Sequence, residues 1–240
     1  MDIEIERLQH LIDISNKIVF FGGAGVSTES GIKDFRSQDG LYKLKSKYGR
    51  PYEEMLSHTY FMEHTDTFYQ FYREFMINTE AKPNAAHTYL AKLEKKKNLT
   101  VITQNIDGLH QLAGSKNVLE LHGSIHRNYC MKCHAFYNLD DLLKMSSTPK
   151  CLKCGGLLKP DVVLYEEGLD QEILYEAVEA ISKADLIIVA GTSLSVYPAA
   201  GLIRYFNGKY IVVINKDHLA VGGVTLEINK PVGEVFKQLN

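Results

Sequence analysis

The sequence predicts an α/β protein, a mostly parallel doubly wound (Rossmann-like) sheet with a smaller domain inserted into it. Three observations carry that prediction. Short apolar runs at 17–21, 99–103, 118–121, 186–190 and 210–214 are separated by segments with helical periodicity, the alternation expected of βαβ units. Three of the runs stop at small or polar residues (Gly22-Gly23-Ala24-Gly25, Gln104-Asn105 and Gly191-Thr192-Ser193), and strand carboxyl ends are where open α/β sheets collect ligands. Finally, the four cysteines all fall between 130 and 154, so a compact module interrupts the alternation there.

Length and charge narrow the classes. The chain has 240 residues, 45% of them hydrophobic, which suits one sizeable core with an insert. A net charge of −2 argues against nucleic acid as a partner. No apolar run approaches the ~20 residues needed to span a bilayer, so no membrane partner is expected. Met1-Asp2-Ile3-Glu4-Ile5-Glu6 is acidic and unlike the cationic start of a signal peptide. The chain reads as a cytoplasmic monomer. Segments 1–37, 81–125 and 159–240 form the nucleotide-binding domain; 38–80 is a helical insert and 126–158 a cysteine-bearing one, together the small domain.

Taken in order, Ile5, Leu8, Leu11 and Ile12 mark an amphipathic helix that feeds the strand at 17–21. The aromatic-rich stretch 66–78 reads as a helix capped by Asp66, its rings assigned to a core. A helix opens at Pro83-Asn84 and runs to Lys97, with His87 structural. Segment 170–182 is amphipathic, 186–190 has the continuous apolar character of a buried parallel strand, and a last helix opens at Val232.

The chemistry gathers at the strand ends. Gly22, Gly23 and Gly25 let the chain turn with its N–H groups close to an anion, the first part of a phosphate cradle. As a dinucleotide fingerprint it is incomplete: Thr28 stands where a third glycine belongs, and no acidic residue closes a second strand about 20 residues on. A plain tight turn remains the alternative. Asp34, Phe35 and Arg36 follow, suited to a flat ring and a charged sugar-phosphate. His122 ends a strand beside Gly123, a place from which an imidazole can serve as general base, although most histidines do not. C-x2-C-x17-C-x2-C over Cys130, Cys133, Cys151 and Cys154 fits one structural Zn2+ per chain: four thiolates fill a tetrahedral shell and leave no open position. His126 and His134 are surplus to that site.

GAGVSTESGIKDFR resembles the signature of the sirtuins, the NAD-dependent protein lysine deacylases. TQNIDGLH, ELHGS and GTSLSVYPAA are similar to three further blocks of that family, in the same order. Gly22, Lys33 and Glu166 depart from it, standing where threonine, proline and glycine are usual. The resemblance implies NAD bound by Gly23, Ala24, Gly25, Thr28, Asp34, Phe35, Arg36, Gln104, Asn105, Ile106, Asp107, His122, Gly191, Thr192, Ser193, Asn215 and Val232. It implies His122 as catalytic base, with Asn105 and Asp107 organising water and nicotinamide. Val162, Val163, Leu164 and Tyr165, facing Val196 and Tyr197, would hold an acetylated protein or peptide as an added strand. A side chain at 166 would narrow that groove or favour basic residues flanking the lysine. Sirtuins that remove succinyl or malonyl groups carry a tyrosine and, three residues on, an arginine; Tyr69 and Tyr72 fall there, which implies an uncharged acyl group unless Arg73 takes the place. The implied reaction moves acetyl from lysine to ADP-ribose with release of nicotinamide. Mono-ADP-ribosyl transfer, long-chain deacylation and a non-catalytic NAD- and zinc-binding interaction module are the alternatives.

Overall fold

The protein is described by a computed structural model over residues 2–33 and 48–240, so Asp34, Phe35 and Arg36 lie outside the described residues. The Asp2 carboxylate accepts from the Glu4 N–H and opens α1 (Ile3–Ile14), which buries Ile5, Leu8, Leu11 and Ile12. β1 (Lys17–Gly22) leads into two 3-10 turns, Ala24–Val26 and Thr28–Ser30. Among the described residues the helical insert contains α2 (Tyr52–Met55), α3 (His58–Glu63) and α4 (Thr65–Phe71), the last widening into a π-helical turn at Tyr72–Met76. The predicted helix over 66–78 is therefore two pieces. Asp66 does not cap it: His64 holds the N-cap position, and Asp66 lies in the first turn, where its carboxylate accepts from the Thr148 hydroxyl.

α5 (Ala85–Leu93) starts at Asn84 with a reciprocal cap between Asn84 and His87. Then come β2 (Asn98–Thr103), α6 (Leu109–Ala113) and β3 (Val118–Glu120). β4 (Gly123–Cys130), β5 (Phe136–Asn138), α7 (Leu139–Lys144) and β6 (Leu158–Val162) make the second insert. α8 (Gln171–Lys183), β7 (Leu186–Ala190), a 3-10 segment Ala199–Tyr205, β8 (Tyr210–Ile214), β9 (Leu226–Ile228) and α9 (Val232–Phe236) complete the chain.

Among the described residues the large sheet has six strands, all parallel, in the order β3-β2-β1-β7-β8-β9. Its two faces explain the continuous apolar runs. Phe20, Ile188 and Val212 turn toward α1, α5 and α9; Val19, Phe21, Ile187 and Val189 turn toward α8 and the 3-10 segment. Each fully buried side chain of this kind stabilises the fold by about 1.5–3 kcal/mol. β9, which sequence periodicity did not mark, is three residues long and adds the outer edge. The second sheet is antiparallel, β5-β4-β6, and packs against the rings of α4 in a core of its own. Among the described residues no helix is long and apolar enough to cross a membrane.

Beneath the sheet end two histidines are buried together. His87 and His110 are 0% and 1% exposed, with ring centroids 4.6 Å apart, and the Phe20 ring stands edge-on to His110. Burial pulls both imidazoles well below the ordinary 6.5; the neighbouring Asp107 charge partly opposes this at His87, and the His87 charge further opposes protonation of His110. The folded state therefore refuses protons that the unfolded chain accepts, so stability is full above pH 6.5 and declines as pH falls below it. The expected slope is about 1.4 kcal/mol per pH unit for each histidine. Urea denaturation from pH 7 to pH 5 reads it. His110→Leu should flatten the decline, and an equally steep decline in that variant would exclude His110 as its source.

Candidate active site

The winding of the large sheet reverses between β1 and β7, with β2 and β3 on one side and β8 and β9 on the other. The crevice at the carboxyl ends of these two strands is the general ligand position of such sheets. There the glycines are needed for contact. The Gly25 N–H donates to the Gly191 carbonyl at 2.8 Å, and a Cβ on Gly25 would come within 2.7 Å of the Gly191 Cα. Gly191 has φ +56°, in the left-handed region that favours glycine. Gly23 is as tightly placed: a Cβ there would lie 2.8 Å from the Gly191 carbonyl oxygen and from Thr192. The turn and the end of β7 are thus a single backbone-to-backbone contact, with half-buried Ala24 at its corner and the Thr28 hydroxyl returning to the Gly25 carbonyl at 3.1 Å.

The end of β2 joins the same crevice. The Gln104 N–H donates to the Gly22 carbonyl at 2.9 Å, and its side chain reaches the Thr192 hydroxyl at 3.1 Å. Ser27 is the hub that sequence reasoning missed. Its hydroxyl donates to the Asp107 carboxylate at 2.6 Å and accepts from the Asn105 amide at 3.0 Å. The same carboxylate caps α6 through the Leu109 N–H at 2.9 Å. Asn105 and Asp107 are therefore oriented from the glycine turn. The one sequence signal for Ser27 is a hydroxyl two residues past Gly25 of the turn. Asn84 fixes the turn from behind, donating to the Val26 carbonyl at 2.7 Å and to the Ser30 hydroxyl at 3.0 Å. The Ile106 carbonyl accepts from the Ile125 N–H at 3.0 Å, which ties this loop to β4.

His122 sits in the two-residue turn between β3 and β4, where the large sheet hands the chain to the small one. Its Nδ1 lies 2.8 Å from the Gln104 carbonyl oxygen. A carbonyl can only accept, so Nδ1 carries the proton and Nε2 keeps its lone pair. Burial lowers the imidazole pKa, with the Gln104 carbonyl partly opposing, so the ring is a neutral base at pH 7. Arg127 clamps both flanks, pairing with Glu120 of β3 and Asp161 of β6 at 2.6 Å each. The Val163 N–H donates to the His122 carbonyl at 3.0 Å, which brings the segment Val162, Val163, Leu164 and Tyr165 alongside the histidine. Val196 and Tyr197 follow Ser193 on the loop after β7, and Tyr197 is 69% exposed.

Two further predicted cofactor contacts follow β8 and open α9. Asn215 closes β8, its side chain donating to the Asp217 carbonyl at 2.9 Å. Val232 is 3% exposed and packs in the main core; the polar feature beside it is the Gly233 N–H, which donates to the Glu29 carboxylate. On the helical insert, the Tyr69 hydroxyl donates to the Leu158 carbonyl at 2.6 Å, and the Tyr72 hydroxyl is buried with no partner among the described residues. Arg73 donates to the Leu142 and Ser146 carbonyls at 2.9 Å, closing the end of α7. The Glu166 carboxylate likewise has a partner: it accepts from the N–H and hydroxyl of Thr59 instead of standing free beside a substrate.

The four sulfurs of Cys130, Cys133, Cys151 and Cys154 all lie within 4.8 Å of one another. That spacing, with four soft donors and no carboxylate or open position among them, fits a tetrahedral zinc ion held structurally. The Tyr137 hydroxyl lies 3.3 Å from the Cys151 sulfur and accepts from the Leu152 N–H at 2.9 Å, an outer contact that orients the thiolate.

A neutral base beside a nucleotide crevice, with the metal set apart from both, defines a nucleotide-dependent enzyme of the doubly wound class. The comparisons with known proteins are specific. The Sir2 family model matches residues 23–198, and the chain belongs to that family. It is 59% identical to an NAD-dependent protein deacetylase of Clostridium acetobutylicum, over 98% of this chain and 97% of the relative. It is 44% identical to one of Staphylococcus aureus, over 98% of each. A solved Sir2 holding a deacetylated p53 peptide and 3'-O-acetyl ADP ribose superposes with a TM-score of 0.88 at 40% identity, covering 98% of this chain and 96% of that one. A Sir2–p53 peptide–NAD+ structure gives 0.85 at 39% identity, with 99% and 96% covered.

Proposed function

We propose that this chain is an NAD-dependent protein lysine deacetylase in which His122 is the general base and the segment 162–165 receives the acylated peptide. NAD supplies the ribose carbon that the acetyl oxygen attacks as nicotinamide leaves. Nε2 of His122 takes the proton of a ribose hydroxyl, while the Gln104 carbonyl holds the imidazolium that forms. Asn105 and Asp107, oriented through Ser27, exclude and order water at the departing ring. One water adds to the acyl carbon as the lysine nitrogen leaves, so the products are free lysine, nicotinamide and O-acetyl-ADP-ribose. Zinc holds the small sheet and takes no part in the chemistry.

The observation that carries this reading is the His122 junction: one residue closes the crevice at the sheet end and pairs through its carbonyl with the segment assigned to the peptide. Solved relatives described as bound to acetylated or propionylated peptides support a peptide substrate. Arg73, engaged with α7, supports an uncharged acyl group. Mass spectrometry of products from NAD and mixed acetyl-, succinyl- and long-acyl-lysine peptides tests it. NAD-dependent loss of acetyl with O-acetyl-ADP-ribose appearing is expected. ADP-ribose attached to protein, with no deacylation, would establish the transferase instead.

A further inference from the structure

Between the peptide segment and the helical insert, three consecutive residues are tied down in different ways. Tyr165 is bound through its main chain: its N–H donates to the Leu56 carbonyl at 3.0 Å and its carbonyl accepts from the His58 N–H at 3.0 Å. Glu167 is bound through its carboxylate, which accepts from the Leu164 N–H at 2.9 Å and pairs with Lys159 at 3.0 Å and His58 at 2.8 Å. Glu166, between them, has φ +77°, a left-handed conformation that disfavours a side chain and explains why glycine is the usual residue here. Its carboxylate compensates. One oxygen accepts from both the N–H and the hydroxyl of Thr59 at 2.8 Å, satisfying an otherwise open donor in the first turn of α3. The N–H and C=O of Glu166 itself have no partner among the described residues.

We propose that Glu166 is a positioning residue for the acyl-lysine peptide: its carboxylate, anchored on Thr59, fixes the left-handed main chain at 166 so that its open N–H and C=O meet the peptide backbone. The proposal rests on the deacetylase reading and on the peptide segment given above. Glycine at this place reaches the same φ without strain but leaves it free to change. Glutamate makes one geometry permanent and couples it to α3. The anchor acts before the peptide arrives, so its contribution is to peptide affinity and not to the chemical step.

Steady-state kinetics with one acetyl-peptide and NAD test this on Glu166→Gly, Glu166→Gln, Thr59→Val and the Thr59→Val/Glu166→Gly double variant. The peptide KM should rise about fivefold or more in Glu166→Gly, and less in Glu166→Gln, which keeps an acceptor oxygen. KM for NAD and kcat should stay within about twofold of the parent. The double variant should be no worse than Glu166→Gly alone, since both substitutions remove one contact. Thr59→Val keeps Glu166 and the residue-59 N–H contact but removes the hydroxyl contact, so a smaller rise in peptide KM there reads loss of the anchor apart from relief of strain at 166. Unchanged peptide KM in Glu166→Gly and in Thr59→Val, even with a lowered melting temperature, would reduce the contact to a structural one and overturn the proposal. A parent enzyme that never deacetylates the peptide would overturn the functional reading first, and this inference with it.

Discussion

Replacing His122 by alanine lowers deacetylation turnover by at least about 10²-fold, the usual contribution of a positioned general base. NAD and zinc should still bind, because the glycine turn and the other crevice residues remain and the cysteines lie on the small sheet. The glycine turn is closed by the Gly25 to Gly191 bond and the cysteines cluster on the other sheet. The imidazole also sets a pH dependence whose sign follows from the burial. Its pKa is lowered below the ordinary 6.5, so the neutral base is the main form at pH 7 and the acid limb of kcat/KM lies on the acidic side of 6.5. His122→Ala should lose that limb along with the rate. Calorimetric NAD binding and a pH–rate profile, run on the same preparation as the kinetics, check both parts. Near-parental turnover in the variant, or a parental acid limb persisting in it, would remove His122 from the base role.

Much of this site was legible in the sequence because its residues lie at strand ends, and strand ends are written locally. The Lys17–Gly22 run, the glycines after it and Leu186–Ala190 followed by Gly191 each announce a strand and its stop within ten residues. The cysteines were legible for a similar reason, since two C-x2-C pairs carry their geometry in their spacing. What the sequence did not disclose are links made across distance. Ser27 meets Asp107 across 80 positions and Glu166 meets Thr59 across 107, and no local pattern states such pairs. The cap of α4 illustrates the converse error. Asp66 has the chemistry of an N-cap, but the chain enters the helix two residues earlier, and the carboxylate meets Thr148 of the cysteine-bearing insert instead. Val232 was assigned to the cofactor only through the family resemblance, with no local pattern of its own. In the fold it is a member of the main core at the start of α9.

Stripping the metal, or replacing Cys151 by serine, is expected to abolish most of the activity although the zinc site performs no chemistry. The reason is the path of the chain. β4 begins at Gly123, immediately after His122, and ends at Cys130; β6 ends at Val162, immediately before the N–H that bonds the His122 carbonyl. The zinc ligands close one end of this strand pair and His122 stands at the other. Contact at the His122 end is close enough that a Cβ on Gly123 would lie 1.9 Å from the Asp161 carbonyl oxygen, and Gly123 itself sits at φ +74°. The small sheet has three strands and a modest core, so the metal is a large part of what stabilises it; structural zinc contributes on the order of 10 kcal/mol in small folds of this type. Once the β4–β6 pairing loosens, the segment 162–165 and the flank of His122 lose their fixed geometry together. Turnover should then fall by more than about tenfold, with peptide KM rising as well. NAD affinity should change less, because the Gly25–Gly191 contact belongs to the large sheet. Dialysis against a chelator, with zinc content and activity followed in parallel and zinc then restored, is the direct test. Activity that returns in proportion to bound zinc supports the mechanical coupling; full activity in metal-free protein would show that the ribbon and the base are independent.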